Sequence, residues 1–394
     1  MEMDKDIKLN EAFEFIRNGT SIKQMDGAGG YPITRIETIA NGYVDSSRMG
    51  YADIQELEKY EDYILKKGDI LMSHINSEKH LGKSALYVDD TNEVIHGMNL
   101  LGLRCKKDIL LPKYAFYYFN SELFKRQIPR ITKKSVNQAS FSVTDLRQLT
   151  IFTLSINEQQ KIATILDKAQ SLIDKRKEQI EACDELVKSL FYEMFGDPVK
   201  NDKHLPKIKL QELGEWKSGG TPSRSNNYYY NGNIPWLSSG ELNSIYTQES
   251  NEYITEDAVT NSSAKLILVG SLLLGMYDTA ALKSTINLVE CTCNQAIVFA
   301  KLNDAKVSTV FIYYCIQIGK EFYKSQQRGV RQKNLNLSMV KNMEVLFPPL
   351  SLQNKFAAQV KKIEHQKNLL EQSLKELENN FNSLMQRAFK GELF

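Results

Sequence analysis

Two basic segments contain the side chains of this chain that are best suited to bind phosphate groups. One runs from Arg126 to Lys134 and the other from Lys320 to Lys333, and both mix Lys and Arg with Gln or Asn. Lys and Arg neutralise phosphates, and Arg, Gln and Asn also hydrogen-bond to the edges of bases. A solvated basic surface is the alternative interpretation, and the recurrence of the segments leaves the two equally open. The candidate residues in these segments are Arg130, Lys133, Lys134, Arg328, Arg331 and Lys333.

Short polar loops and the ends of predicted strands provide a second group of candidates. A Thr-Ser loop and a Thr-Pro-Ser-Arg loop suit the approach of a phosphate, although a plain β-turn is the commoner outcome. One lysine follows a predicted strand in each half, and a His and a Tyr lie where bases could be read, although packed side chains are commoner. Arg35 corresponds in position to Trp236 and could hold a guanine through two hydrogen bonds, whereas we expect Trp236 in the core. These candidates are Thr20, Ser21, Arg35, His74, Lys83, Thr221, Ser223, Arg224, Tyr277 and Lys283.

The sequence contains no motif for catalysis. It has no Asn-Pro-Pro-Phe/Tyr segment, no glycine-rich cofactor loop after a strand and no Gly-x4-Gly-Lys-Ser/Thr phosphate loop. Its histidines form no cluster, and Cys291-x-Cys293 lacks a second ligand pair at zinc spacing. We therefore expect no catalytic residue, no metal site and no cofactor bound by the chain itself.

Composition limits the partners and the compartment. The net charge is +2, so an anionic partner must be met by local basic patches. The five cysteines show no disulfide framework, and the charged segment Met1–Lys8 has no apolar signal core. We expect a soluble cytoplasmic protein with reduced thiols and no membrane partner.

The elements that would position the candidate residues occur twice. Residues 136–195 reappear as residues 330–389 at a constant separation of 194, and Ile7 to Ile33 matches Ile208 to Ile234 at a separation of 201. The separation changes only within the globular stretches. The chain therefore alternates between globular and helical parts, and the two copies diverge mainly in the globular ones.

In both helical copies, apolar residues recur every seven residues in two rows, a pattern typical of a coiled-coil seam. A capping box at Ser155–Glu158 begins the first helix, and Gly196 ends it. The second helix is predicted to begin after Pro349 and to end near Gly391. At 1.5 Å per residue the first helix would be about 58 Å long. If the domain between the helices is compact and its ends lie close together, the second helix must run back antiparallel to the first. The predicted seam consists of Ile162, Leu166, Ile173, Ile180, Val187, Leu190, Phe356, Val360, Leu370, Leu374, Leu377, Phe381 and Leu384.

The globular parts are predicted to be mixed α+β. Lys67–His74 and Val269–Met276 are typical of a turn followed by a strand, and Pro112–Ile128 and Val307–Ser325 are typical of amphipathic helices. The predicted organisation is an internal pseudo-two-fold repeat, with two globular domains separated by two long antiparallel helices. Its boundaries are residues 1–154 for the first domain, 155–196 for the first helix, 197–349 for the second domain and 350–394 for the second helix.

Over essentially its whole length the chain resembles the specificity subunits of type I restriction-modification systems. The segments that carry the resemblance are Leu154–Ile162, Gly220–Arg224, Ile234–Glu241, Gln332–Leu335 and Phe347–Gln353. The first half departs from the pattern. Gly19–Ser21 lacks the proline, Thr34–Arg35 stands in place of Pro235–Trp236, and no Pro-Pro precedes the first helix.

The resemblance implies a subunit without catalytic activity that recognises an asymmetric bipartite DNA site. Each globular domain would be a target-recognition domain for one half-site, and the coil would hold the two apart. The implied partners are double-stranded DNA, methyltransferase subunits, expected to number two, and restriction subunits. S-adenosylmethionine and ATP would bind only to those partner subunits.

The residues alone leave alternatives open. A coiled-coil scaffold with two protein-binding domains and no DNA specificity would also explain the duplication, and a stand-alone nuclease or methyltransferase would need motifs that are absent. Whether the system restricts DNA or only methylates it is also open.

Overall fold

The computed structural model describes residues 5–25, 29–54, 56–89, 91–136, 138–277, 280–325 and 334–393. The chain divides into two compact units, of which unit 1 comprises Met1–Lys177 with Gln372–Phe394 and unit 2 comprises Glu178–Glu371. Each unit therefore contains one globular body and a part of each long helix.

Unit 1 is a mixed α+β body followed by a long helix that continues into unit 2. Its elements are β1 (Lys5–Lys8), α1 (Leu9–Ala12), β2 (Phe13–Asn18), β3 (Gln24–Met25), β4 (Tyr31–Ile33), β5 (Gly50–Ala52), β6 (Ile70–Ser73), β7 (Ile75–Asn76), β8 (Ser84–Leu86), β9 (Leu100–Cys105), α2 (Pro112–Asn120), α3 (Glu122–Lys125), α4 (Ile128–Ile131), β10 (Lys133–Lys134), β11 (Ala139–Ser140), α5 (Val143–Gln148), β12 (Thr150–Thr153) and α6 (Ile156–Phe195).

Unit 2 repeats this succession and ends with the second long helix, whose C-terminal part belongs to unit 1. Its elements are β13 (Lys207–Lys209), β14 (Lys217–Ser218), β15 (Ile234–Leu237), β16 (Tyr246–Thr247), β17 (Tyr253–Ile254), α7 (Glu256–Thr260), β18 (Leu272–Gly275), β19 (Ser284–Asn287), β20 (Thr292–Cys293), β21 (Ile297–Ala300), α8 (Thr309–Ile318), α9 (Lys320–Ser325), α10 (Leu337–Lys341), β22 (Glu344–Leu346) and α11 (Leu350–Phe389).

The main sheets of the two units have the same strand order. In unit 1 it is β2-β9-β6-β8, and in unit 2 it is β14-β21-β18-β19 with β16 added at the edge. In each unit the first strand also pairs with the strand that precedes the long helix, as β1 with β12 and β13 with β22. All residues of β6 and β18 are buried, as expected of central strands covered on both faces. The predicted α+β class and internal repeat are confirmed.

The long helices have the ends that their sequence predicts. At the start of α6 the Ser155 amide donates to Glu158 Oε2 at 3.1 Å, and the Glu158 amide donates to Ser155 Oγ at 3.3 Å. This reciprocal pair is a capping box. Gly196, at φ +74°, follows the last residue of α6, and α11 follows Pro349 directly. Each helix is 40 residues long.

Within each unit the two helices run antiparallel. In unit 2, Phe195 of α6 contacts Phe356 of α11 at a ring-centroid distance of 5.5 Å, and Asp184 pairs with Lys367 at 2.5 Å. Residue numbers thus rise along α6 while they fall along α11. In unit 1, Lys177 of α6 pairs with Glu378 of α11 at 3.4 Å.

The predicted seam residues are all at least partly removed from solvent. Because a pair of helices covers the seam from one side only, burial is complete mainly where a globular body also packs on the helices. The buried residues are Ile162, Leu166, Ile173, Val187, Phe356 and Val360, and the half-buried ones are Ile180, Leu190, Leu370, Leu374, Leu377, Phe381 and Leu384.

The two amphipathic helices predicted inside the bodies are interrupted. The first stops at Asn120, and Ser121 caps the separate helix α3 by accepting a hydrogen bond from the Phe124 amide. The second stops at Ile318, and α9 begins after Gly319. The prediction of single helices was wrong, because the amphipathic pattern continues across each break while the helical conformation of the backbone does not.

Candidate nucleic-acid interface

In unit 1, lysines from separate elements meet at one cleft. Lys79, Lys83 and Lys125 line a cavity of about 310 Å³, together with Glu78. Glu78 forms an ion pair of 2.9 Å with Lys134, so this predicted residue lies at the same place. We call Lys79, Lys83, Lys125 and Lys134 the first basic cluster. Lys125 also pairs with Glu122 at 3.6 Å, so the four ammonium groups of the cluster have two carboxylates beside them.

Local structure explains how the first basic cluster is assembled. Lys134 lies on β10, which pairs with β11, and β11 pairs with β7. Lys83 precedes β8, and its ammonium donates a hydrogen bond to the carbonyl of Ala40. Lys125 ends the short helix α3. The predicted contacts Arg130 and Lys133 are both exposed on the neighbouring segments α4 and β10.

Unit 2 has a corresponding group, the second basic cluster, formed by Lys283, Lys320 and Lys324. Burial lowers the pKa of the Lys320 ammonium, and the neighbouring charges of Lys324 and Lys283 lower it further, against an opposing effect of Glu321. Lys283 donates to Asn243 Oδ1 at 2.8 Å. The predicted contacts Arg328, Arg331 and Lys333 lie outside the described residues.

The two clusters are equivalent in the repeat. Lys83 and Lys283 each precede the strand next to the central one, β8 and β19. Lys125 and Lys324 each follow a buried aromatic residue in the short helices α3 and α9. Lys79, Lys125 and Lys324 are not among the site residues predicted from the sequence. The signal that could have found Lys125 and Lys324 is the matching aromatic-Lys pair in both halves.

His74 and Tyr277 are not equivalent positions, and they differ in exposure. His74 is 6% exposed and packs edge-on against Phe141, whereas Tyr277 is 39% exposed. The His74 carbonyl accepts from the Phe141 amide, and in unit 2 the Met276 carbonyl accepts from the Leu335 amide. Met276 is therefore the counterpart of His74. Because side chains alternate along an extended chain, this shift by one residue buries His74 and exposes Tyr277.

Burial also sets the electrostatics of His74. Removal from water lowers the pKa of its imidazole, and Nδ1 has no hydrogen-bond partner among the described residues. Its side chain is thus a neutral packed group, unsuited to contact a base directly.

The Thr-Pro-Ser-Arg loop of unit 2 holds its arginine in a defined place. The guanidinium of Arg224 lies 4.2 Å from the ring centroid of Tyr230 and 5.1 Å from that of Trp236. It also pairs with Glu252 at 2.8 Å. Trp236 is 5% exposed, in the core as expected, and its indole donates to the carbonyl of Gly220 at 3.0 Å.

The hydroxyl groups of this loop already have hydrogen-bond partners within the protein. Thr221 donates to the side-chain oxygen of Gln295, and Ser223 shares a 2.8 Å hydrogen bond with Ser225. Ser223 is exposed and Thr221 is half-buried.

In unit 1 the counterpart loop is organised differently. The Thr20 amide donates to the carbonyl of His96 at 2.9 Å, and Ser21 is exposed. Arg35 is half-buried, and its Nε donates to the Gln24 side chain. A Cβ atom at Gly50 would lie 2.4 Å from Arg35 Nε, so glycine is needed there to leave room for the arginine. Arg35 lies outside the first basic cluster.

Desolvation makes the cysteine thiols poor nucleophiles. Desolvation raises the pKa of all five cysteine thiols, to about 12 for Cys291 and Cys315, so they stay protonated and weakly nucleophilic at neutral pH. Within the described ranges, no group of three or more His, Cys, Asp and Glu side chains could hold a metal ion. None of the described helices is both long and apolar enough to cross a bilayer.

The repeated units agree with a comparison to known families. The model of the type I restriction modification DNA specificity domain matches the chain twice, over residues 2–182 and 204–379. The chain belongs to this family. Each match covers one globular body and most of the long helix that follows it, which confirms the resemblance read from the sequence.

Individual relatives agree in length and in fold. A putative type I restriction enzyme specificity subunit of Methanocaldococcus jannaschii is 28% identical over 98% of this chain and 92% of that protein. The crystal structure of a type I restriction-modification S subunit from M. genitalium superposes with a TM-score of 0.56 at 17% identity, covering 98% of this chain and 96% of that one. A chain from a structure concerned with complex assembly and conformational transition of the type I R-M system gives a TM-score of 0.55 at 15% identity, with coverages of 99% and 98%. At these identities the two structures show the shared fold.

Proposed function

We propose that this chain is the DNA sequence-specificity subunit of a type I restriction-modification system. The body of each unit would recognise one half of an asymmetric bipartite site, and the long helices would set the spacer between the halves. The observation that carries the proposal is the double match to the specificity-domain family. The basic clusters at equivalent places in both units support the proposal, because each would provide lysines to bind DNA phosphates.

In this role, recognition of DNA and chemistry on DNA would belong to different subunits. The chain would perform no chemistry, and S-adenosylmethionine and ATP would bind to the methyltransferase and restriction subunits that it brings to DNA. Two methyltransferase subunits would match the two units. The complex would act in the cytoplasm, where its DNA is. No metal or cofactor would be needed by this chain itself. A coiled-coil scaffold without DNA specificity gains no support from the relatives.

Methylation mapping tests the proposal directly. The chain is expressed with a type I methyltransferase subunit from the same genome, and adenine methylation is mapped across the genome of the host cell. A two-part motif with a fixed spacer should appear only when the chain is present. Identical methylation with and without the chain, in cells whose methyltransferase is shown to be active with another specificity subunit, would contradict the proposal.

A further inference from the structure

A buried glutamine joins each globular body to its long helix in the same way. Gln159 and Gln353 lie in the first turns of α6 and α11, and both are 0% exposed. Gln159 donates to the carbonyl oxygens of Leu154 at 2.9 Å and Ile109 at 2.8 Å, and its Oε1 accepts from the Leu111 amide at 2.8 Å.

Unit 2 repeats this arrangement with different neighbours. Gln353 donates to the carbonyl of Pro348 at 2.7 Å, and its Oε1 accepts from the Ser308 amide at 3.0 Å. Leu111 and Ser308 are the N-cap residues of α2 and α8. In both units one amide group thus connects the start of a long helix to the start of the helix that packs beside it.

A second contact lies further along each long helix. Tyr117 of α2 donates to Asp167 of α6 at 2.9 Å, and Tyr314 of α8 donates to Glu364 of α11 at 3.0 Å. The glutamine and the tyrosine–carboxylate pair fix two points of the same interface. In addition to the apolar packing of each body on its helix, two separated hydrogen-bonded points restrain rotation of the body about the helix more strongly than one point would.

We propose that these paired contacts set the spacer length that the chain accepts, by fixing the angle between each recognition body and its own long helix. The proposal rests on the bipartite recognition proposed above. A body of about 150 residues has a radius of gyration near 15 Å, and one base pair occupies about 3.4 Å of duplex axis. A rotation of roughly 13° would therefore displace the DNA-facing surface by one base pair. Gln159, Gln353, Tyr117 and Tyr314 are positioning residues, and they need not touch DNA.

The test measures spacer tolerance separately from half-site recognition. Gln353→Met and Gln159→Met remove the polar contacts at similar side-chain length, and Tyr314→Phe removes a single hydroxyl group in case the glutamine variants fold poorly. Each variant is expressed with its methyltransferase on plasmids that carry both half-sites with spacers of varied length. The ratio of methylation at sites whose spacer is one base pair longer or shorter to methylation at the wild-type site should rise by about tenfold. The sequences of both half-sites should stay unchanged.

A matched control separates loosened geometry from lost stability. Ile297→Ala removes buried volume from an apolar cluster of the unit 2 sheet whose described members include none from α6, α8 or α11. This control should lower the melting temperature and keep the wild-type spacer. Methylation confined to the wild-type spacer in Gln353→Met and Tyr314→Phe would overturn the positioning role and leave the proposed function standing. Broadening of the same size in Ile297→Ala would overturn it too. Absence of any bipartite motif with the wild-type chain would remove the proposed function itself.

Discussion

Replacement of Lys324 by Gln should reduce the salt dependence of DNA binding without lowering stability. Lys324 is the member of the second basic cluster on α9, and its nearest carboxylate, on Glu321, is 3.9 Å away and 89% exposed. It therefore lies near Lys320 and Lys283 with little compensating charge. A cluster of like charges costs folding free energy, so its most direct explanation is an anionic ligand.

The magnitude follows from counterion release. Each phosphate contact contributes about 0.9 to the slope of log affinity against log salt concentration, which is about a 3.5-fold loss of affinity between 50 and 200 mM salt. Lys324→Gln should lower the slope by about 0.9, and the double variant with Lys125→Gln by about 1.8. The preference for target over non-target duplex should persist, because phosphate contacts carry no sequence information.

The assay is a titration of labelled duplexes with the assembled methyltransferase complex at several salt concentrations. Lys301→Gln provides the control, because this lysine already pairs with Asp304 at 3.2 Å and belongs to neither cluster. Thermal unfolding of Lys324→Gln should show unchanged or slightly higher stability, since repulsion within the cluster is relieved. An unchanged slope in the double variant, or a loss restricted to the target sequence, would refute the assignment of these lysines to phosphates.

Three further predictions concern stability and base contact. Burial lowers the pKa of His96 to about 4, so this residue contributes stability above its unfolded pKa near 6.5 that is lost as pH falls towards 4. The loss is at most about 3 kcal/mol, and urea unfolding should show it in the wild type and not in His96→Gln. Phe356→Ala should lower the free energy of unfolding by about 3–5 kcal/mol in denaturant titrations, because the ring of Phe356 packs on Phe195 and other aromatic rings of the unit 2 core. A decrease of less than about 1 kcal/mol would contradict that packing. In duplex-binding titrations Tyr277→Ala should weaken binding to the target duplex and His74→Leu should not, because only Tyr277 is exposed. The reverse result would contradict the inference of base contact from exposure.

Features that repeat with a regular period could be predicted from the sequence. Features that depend on one residue, such as a break in a helix, could not. The seven-residue period identifies α6 and α11, and the capping box and Gly196 mark the ends of α6 because their chemistry is local. The breaks at Ser121 and Gly319 were missed, since the apolar face continues on both sides of each break. Sheet order is also invisible in the sequence, because pairing of β9 with β6 joins distant segments.

The candidate site shows the same division. Basic segments predicted a charged surface, and the structure places Lys83 and Lys134 at one cleft. The two candidates His74 and Tyr277 differ in exposure, because the structural counterpart of His74 is Met276 and Tyr277 lies one residue further along the chain. Lys367 of α11 pairs with Asp184 on the facing helix α6. Charge compensation between helices appears only once both helices are placed together.

The shared strand order of the two main sheets has a consequence for how such a protein can change over generations. Four strands have the same order in both halves, and in both a buried glutamine joins the long helix to the N-cap residue of the helix beside it, while the contacts of Arg35 and Arg224 differ. In the proposed function, different residues would therefore mount each body and read the DNA. Substitutions in the loops would then give the chain a new target and leave the mounting of each body intact, so that a lineage would alter which DNA it marks and keep the rest of its enzyme unchanged.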